Sequence, residues 1–164
     1  MKVYLASDHA GFEIKNALVE YVRGLGYDAE DCGAFVNDPA DDYPEIIASA
    51  ARKLSLDAAQ GVESRAIVAG ASGQGEAMVA NRFKGVRCAL YYGSAAKPQT
   101  DMSGNTLDIL ASSREHNNAN ALSLGLRFLS LEEAKSAVAT WLTATFPGEE
   151  RHARRIKAIE SLNA

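Results

Sequence analysis

The segment that most constrains this chain is residues 66–76, where an apolar run passes into glycines and then reaches a carboxylate. The run Ala66-Ile-Val-Ala-Gly70 is followed by Ala-Ser-Gly-Gln-Gly-Glu76. This order predicts a buried strand, a tight loop and a helix that opens on Glu76. Glycine lets backbone N–H groups approach a negative oxygen closely, and the start of a helix adds the positive end of its dipole. The segment therefore predicts a loop that binds phosphates or oxyanions.

Two common nucleotide-binding loops do not fit this segment. A dinucleotide-binding loop needs G-x-G-x-x-G, but Met78 stands where the third glycine should be. A Walker loop needs Gly-Lys-Ser/Thr, which does not follow here. A second interpretation stays open: the segment is a tight turn, and Glu76 only complements the helix dipole.

Size and charge narrow the class of protein. With 164 residues and 47% hydrophobic content, we expect one domain that spans residues 1–164. The net charge is −4 and the sequence pI is about 5.4, so we expect no nucleic-acid partner. No uncharged stretch reaches the roughly 18 residues of a membrane span, and a charge interrupts the N-terminus before a signal-peptide core forms. These features predict a cytoplasmic protein without a membrane partner.

The cysteines and histidines do not form a metal-binding pattern. Cys32 and Cys88 are far apart and lack C-x-x-C spacing. His9, His116 and His152 form no H-x-x-x-H pair. We therefore expect reduced, structural cysteines and no metal site.

Short apolar runs alternate with segments of helical periodicity along most of the chain. The predicted strands are 2–7, 27–32, 65–70, 87–91 and 121–126, and two helical segments, 131–146 and about 149–162, close the chain. The alternation predicts a three-layer α/β/α, Rossmann-like sandwich with a five-stranded parallel sheet. Ligands of such folds bind at the carboxyl ends of the strands, where the loop before Glu76 would lie. Residues 92–105 are rich in Gly, Ser and Ala and predict a long polar loop.

Two clusters outside the glycine-rich loop carry acid–base groups. Asp8 and His9 follow the first predicted strand, where an acid and an imidazole could bind hydroxyls or transfer protons. Alternatively, Asp8 caps the next helix and His9 lies on the surface. His116 precedes the last strand, and His-Asn-Asn fits either a general acid or a simple turn.

Arginines near the C-terminus supply cations suited to a phosphate. Arg127 follows the last predicted strand, and Arg151 and Arg155 lie one helical turn apart. On an isolated helix, such arginines are usually only solvated. Together with the other clusters, however, they complete a set of an anion-binding loop, a carboxylate, an imidazole and guanidinium groups.

Taken together and in order, these motifs resemble the family of type B ribose-5-phosphate isomerases, which includes galactose-6-phosphate isomerases. The motifs are Ser-Asp-His-Ala-Gly at 7–11, Asp-Tyr-Pro at 42–44, residues 70–76 with Ala-Asn-Arg at 80–82, Gly-Val-Arg-Cys-Ala at 85–89, residues 116–120, Leu-Gly-Leu-Arg at 124–127 and residues 151–155. The resemblance runs almost end to end.

The resemblance implies a cofactor-free aldose–ketose isomerase that interconverts ribose 5-phosphate and ribulose 5-phosphate through a cis-enediol. It implies that His116 and Asp8 open the sugar ring. Many members carry a cysteine base at the position of Gly70, whereas another branch places a glutamate after Ser-Gly-x-Gly, so Glu76 is the expected base. Ser72 and the loop N–H groups would hold the enediolate. The expected binding residues of this loop are Gly70, Gly73 and Gly75.

The same resemblance implies phosphate-binding roles for four cations and contacts to the sugar from two further residues. The cations are His9, Arg127, Arg151 and Arg155. The sugar contacts are Tyr43 and Asn117. In the family the C-terminal arginines reach a partner's site, so we expect a homodimer or a dimer of dimers with shared active sites.

The substrate itself stays open between two sugar lengths and a non-enzymatic alternative. A six-carbon substrate such as allose or galactose 6-phosphate would use the same chemistry. A non-catalytic sugar-phosphate sensor or a flavodoxin-like nucleotide module is the alternative from another class. Residues 92–105 exceed the family pattern, and we expect them to form a rim or lid that alters sugar-length preference, the alternative being an inert insertion.

Overall fold

The computed structural model describes residues 1–94, 97, 99–101 and 104–162, and its centre is a five-stranded parallel sheet in the order β2-β1-β3-β5-β4. The strands are β1 (Lys2–Ser7), β2 (Asp28–Asp31), β3 (Ser64–Gly70), β4 (Cys88–Tyr91) and β5 (Ala121–Gly125). Each predicted strand is confirmed to within one residue at either end.

Helices lie in the connections between the strands and follow the last strand. They are α1 (Phe12–Gly24), α2 (Tyr43–Ala59), α3 (Gln74–Ala80), α4 (Ile109–Glu115), α5 (Leu131–Thr143) and α6 (Glu150–Ser161), with a 3₁₀ turn at His9–Gly11. The predicted helix 131–146 ends three residues early, because residues that precede a proline, here Pro147, avoid helical backbone. The sequence analysis did not predict α4, which Asp108 caps by accepting a hydrogen bond from the backbone N–H of Ala111 at 2.6 Å.

The sheet is buried on both faces, so the three-layer prediction is confirmed. Along β1, Val3 and Leu5 point into one core with α1 and α5, while Tyr4 and Ala6 point into the other with α2. Alternation of this kind on a covered parallel sheet explains why the central strands β1, β3 and β5 are mainly apolar, whereas the edge strand β2 is polar. No helix among the described residues is long and apolar enough to cross a membrane.

The order of the strands is one in which a crevice is expected at the carboxyl ends of β1 and β3. From the central pair β1 and β3, the chain builds β2 on one side and β5 and β4 on the other. Ligands of open α/β sheets bind outside the carboxyl ends of the strands at such a reversal. Asp8 follows β1 and the glycine-rich loop follows β3, so both lie at this crevice.

Candidate active site

Asp8 caps the turn after β1 and remains buried at the crevice. Its Oδ1 accepts a hydrogen bond from the backbone N–H of Ala10 at 3.1 Å, and the residue is 7% exposed. Burial raises the pKa of Asp8, and the negative charge of Asp41 adds to this, while His9 opposes it. The capping interpretation is therefore confirmed for the 3₁₀ turn at His9–Gly11, whereas α1 itself follows Gly11 without a side-chain cap.

The glycine-rich loop is fixed onto the end of β5. Gly73 precedes α3 with φ 74°, a left-handed backbone that glycine adopts without strain. Its carbonyl accepts a hydrogen bond from Ser123 Oγ at 2.6 Å, and the carbonyl of Gly70 accepts one from the N–H of Leu126 at 2.9 Å. The loop is thus preorganised, with Ser72 at its centre.

Glu76 lies in the first turn of α3 and is 5% exposed. Its carboxyl group packs against the backbone of Gly70, so closely that a side chain at position 70 would overlap Oε1. Burial raises the pKa of Glu76; its own backbone N–H opposes this, and the negative charge of Asp8 adds to it. A buried carboxylate with a raised pKa beside a second acid is typical of a general base.

Tyr43 and His9 border the same crevice. Tyr43 begins α2, and its hydroxyl lies so near Gly75 that a Cβ there would be 2.6 Å from Oη. Asp41 holds His9: its carboxylate lies 3.0 Å from the backbone nitrogen and 2.5 Å from Nδ1. The hydrogen bond to Asp41 raises the pKa of His9, while the positive charge of Arg127 lowers it. The raised pKa favours the charged form of His9, which lies at the same edge as Arg127.

The sequence analysis missed Asp41. The contact joins residues 32 positions apart, and no local periodicity encodes such a pair. The one available signal was the acidic doublet that precedes Tyr43, since a second carboxylate beside a predicted helix cap has no capping role.

His116 belongs to a second group of residues, at the end of α4. Its ring stacks on that of His152 with centroids 4.4 Å apart and planes inclined by 8°. Both histidines border a cavity of about 500 Å³. The other described residues that line it are Thr100, Asp101, Asn105, Leu107, Asn117, Glu149, Arg151 and Arg155. Residues 100, 101 and 105 of the predicted long loop thus border the predicted arginines, and His152, to which the sequence analysis gave no role, lies at the same cavity.

The structure does not bring the two groups together within one chain. Asp8 and Glu76 follow strands, whereas His116 lies in the segment that enters the amino end of β5. Among the described residues, no hydrogen bond, ion pair or ring contact joins Asp8 or Glu76 to His116. One chain therefore presents two separate groups of candidate residues, named here the carboxylate half-site (Asp8, His9, Tyr43, residues 70–76 and Arg127) and the histidine half-site (His116, Asn117, Arg151, His152 and Arg155).

The two thiols are poor candidates for a base. Both cysteines are free. Burial raises the pKa of Cys32 to about 11 and that of Cys88 to about 12. Near neutral pH both therefore remain protonated, and the thiolate is the reactive form.

We expect Cys32→Ala and Cys88→Ala to retain turnover, and thiol alkylation of the unmodified protein to leave it nearly unchanged. The measurement is the rate of ketose formation before and after treatment with an alkylating reagent. Strong inhibition that either substitution relieves would contradict the assignment of the base to a carboxylate.

Comparison with known proteins connects this geometry to a family. The model of the ribose/galactose isomerase family matches residues 3–159. The chain belongs to this family. Ribose-5-phosphate isomerase B of Mycobacterium tuberculosis strain H37Rv is 36% identical over 159 residues, which cover 97% of this chain and 88% of that protein. The enzyme of the same name from Escherichia coli K12 is 30% identical and covers 98% of this chain and 95% of its own length.

Solved structures of the ribose/galactose isomerase family confirm the fold. Ribose-5-phosphate isomerase B from Mycoplasma genitalium, with bound ribulose 5-phosphate, has a TM-score of 0.82 at 30% identity and covers 98% of this chain and 95% of that one. The type B enzyme of Trypanosoma cruzi has a TM-score of 0.81 at 32% identity, with 99% and 98% covered. The resemblance read from the motifs is thus confirmed.

Proposed function

We propose that the chain is an aldose–ketose isomerase that interconverts ribose 5-phosphate and ribulose 5-phosphate through proton transfers alone, without a metal or organic cofactor. The names of the relatives and the ribulose 5-phosphate bound to the Mycoplasma genitalium protein support the substrate. The observation that carries the chemistry is the buried carboxylate of Glu76, which lies against Gly70 of the preorganised glycine-rich loop and within electrostatic range of Asp8.

Proton transfers balance over the proposed steps. His116 donates a proton to the ring oxygen as the bond from C1 to that oxygen breaks, and Asp8, which contacts the C1 hydroxyl, accepts its proton, so the sugar opens to its aldehyde. Glu76 then removes the proton from C2, the electron pair forms the C1–C2 double bond, and the C1 oxygen takes back the proton held by Asp8. Glu76 returns its proton to C1 while the C2 hydroxyl passes its proton to Asp8 and becomes the ketone; exchange with water then restores Asp8 and His116. Ser72 and the loop N–H groups stabilise the oxyanion, a task worth about 10²–10³ in rate per donor.

The two half-sites support a shared active site in a homodimer or a dimer of dimers. A two-fold interface uses the same patch on both chains, so it can place the histidine half-site of one chain over the carboxylate half-site of the other. Near the glycine-rich loop, Met78, Tyr92 and Phe128 are 68%, 52% and 62% exposed, and the rings of Tyr92 and Phe128 lie 5.9 Å apart. A second copy would cover this apolar surface.

In this arrangement the phosphate contacts come from both chains. His9 and Arg127 lie at the carboxylate half-site, while Arg151 and Arg155 line the cavity of the histidine half-site. We also propose a cytoplasmic location, because sugar phosphates are charged metabolites dissolved in that compartment.

Mixing two inactive variants tests the shared site. Glu76→Gln damages one half-site and Arg155→Ala the other, so a heterodimer holds one site with both defects and one intact site. We expect each variant alone to be poorly active and the mixture to recover up to about half of the activity per heterodimer. Ketose formation after verified subunit exchange is the measurement. No recovery would place Arg155 in its own chain's site or outside any site.

A substrate panel tests the proposed reaction. Ribose 5-phosphate, allose 6-phosphate and galactose 6-phosphate are compared by their rates of ketose formation, with and without a chelator. The proposal requires the highest kcat/KM for ribose 5-phosphate and no effect of the chelator. A preference for a six-carbon substrate would assign the same chemistry to that sugar. Residues 99–101 and 104–107, which reach the histidine half-site, would then be the first candidates for the determinant of sugar length. Binding without turnover would indicate a sensor.

A further inference from the structure

We propose that Asp41 is a positioning residue for phosphate binding: it fixes both the backbone and the ring of His9, so that Nε2 alone is left to donate to the phosphate. The identity of the phosphate as that of a sugar rests on the proposed function. The role of Asp41 toward His9 rests on the geometry of this chain.

The contacts fix His9 at two points. Both oxygens of Asp41 lie within hydrogen-bond distance of the backbone nitrogen of His9, at 3.2 and 3.0 Å. Oδ1 also lies 2.5 Å from the ring Nδ1. A protonated imidazole has two N–H donors, and Asp41 occupies one of them. The ring is therefore oriented before any ligand arrives.

Asp41 is itself held in place and sheltered. Its side chain is 13% exposed, and its backbone N–H donates to the carbonyl of Asp38 at 3.0 Å. Two residues later Tyr43 begins α2 and reaches Gly75. The segment that supplies Asp41 thus also supplies a wall of the carboxylate half-site.

Three charged groups act on His9. Asp41 contacts Nδ1, a carboxylate oxygen of Asp8 lies 4.0 Å from the same atom, and Arg127 after β5 opposes both acids. The two carboxylates favour the charged imidazolium form of His9, and the single guanidinium opposes it. The hydrogen bond to Asp41 is the largest cause of the raised pKa of His9. A cationic donor binds a phosphate oxygen more strongly than a neutral one.

The arrangement also keeps the His9 ring away from Asp8. Without Asp41, the ring would have Asp8 as its nearest carboxylate, and an ion pair between them would draw the ring from the phosphate. A purely structural Asp41 would instead only tie the segment before α2 to the end of β1. The two interpretations differ in what happens to the His9 ring.

The test compares Asp41→Asn with Asp42→Asn, a matched control in the adjacent residue. Asp42 is exposed and its side chain makes no capping hydrogen bond to α2. The His9 ring is titrated by nitrogen-detected NMR, and the affinity for inorganic phosphate is measured by calorimetry across the neutral pH range. For the isomerase reaction, kcat and KM are measured separately.

In Asp41→Asn we expect the pKa of His9 to fall toward its ordinary value and phosphate affinity to drop on the order of tenfold, the effect of one hydrogen bond to a charged group. Because a raised imidazole pKa favours the cation until the pH passes it, phosphate affinity in the variant should decline at lower pH than in the unmodified protein. KM should rise by a similar factor while kcat stays within about twofold, and Asp42→Asn should change none of these.

An unchanged His9 titration, unchanged phosphate affinity, or a fall in kcat without a rise in KM would overturn the proposal. Asp41→Glu, which keeps the charge, should recover part of the affinity; if it does no better than Asp41→Asn in a folded protein, the proposal also fails. The NMR and phosphate measurements need no turnover, so they decide the role of Asp41 even if the substrate panel shows no isomerase activity.

Discussion

Replacing Glu76 with glutamine is expected to lower kcat by a factor of about 10²–10⁴ with little change in KM, because the amide keeps the shape of the side chain but cannot accept a proton from carbon. Glu76 is 5% exposed and burial raises its pKa. The loss of kcat should therefore come from the missing proton acceptor and not from the removal of a solvated surface charge. Steady-state kinetics with ribose 5-phosphate give kcat and KM, and calorimetry with a non-reacting sugar phosphate gives binding.

Glu45→Gln provides the matched control. Glu45 also lies in the first turn of a helix, α2, but it is exposed, so it can only complement the helix dipole. If the glutamate of α3 did no more than that, the two substitutions would have similar, small effects. A Glu76→Gln variant that keeps more than about a tenth of the original kcat would contradict its role as the base.

The strands were predictable because their signal is local. The three central strands β1, β3 and β5 are buried on both faces, and such burial demands an apolar run that the sequence shows directly. By contrast, α4 is seven residues long and begins with one exposed apolar residue, Ile109. A helix this short shows less than two full turns of periodicity, and its cap, Asp108, resembles any other polar loop residue.

For the candidate site, the sequence named the residues but not their arrangement. Motifs told which residues carry acid–base and anion-binding chemistry, and their positions after β1 and β3 predicted that Asp8 and Glu76 would lie together. The stacking of His116 on His152 and the support of His9 by Asp41 depend on packing between distant segments. Sequence order alone does not encode such contacts, and it also does not tell which copy of the chain completes a site.

Gly70→Ala is expected to lower kcat by about a hundredfold without unfolding the protein, although it adds only one methyl group. The three atoms nearest to a Cβ at this position all belong to the side chain of Glu76: Oε1, Cδ and Cγ. The methyl group therefore displaces a flexible side chain and leaves the backbone alone. A misplacement of about 1 Å at a reacting group is enough for a loss of about 10².

Gly24→Ala is the control for this substitution, because a Cβ at Gly24 meets nothing within 4 Å. Kinetics and thermal unfolding of both variants separate lost activity from lost stability. Normal kcat in Gly70→Ala would show that the carboxylate of Glu76 need not lie against this glycine during turnover.

The double variant Gly70→Ala/Glu76→Gln shows whether the methyl group acts through Glu76. If it does, the methyl group should cost little once the carboxylate has been removed, since residues that act as one unit are strongly non-additive. A second hundredfold loss in the Glu76→Gln background would instead mean that the methyl group disturbs the oxyanion-binding loop. The expected result would also explain why this chain combines glycine at position 70 with glutamate at position 76. A glutamate at 76 occupies the space that a cysteine at 70 would need, so this site holds one base or the other.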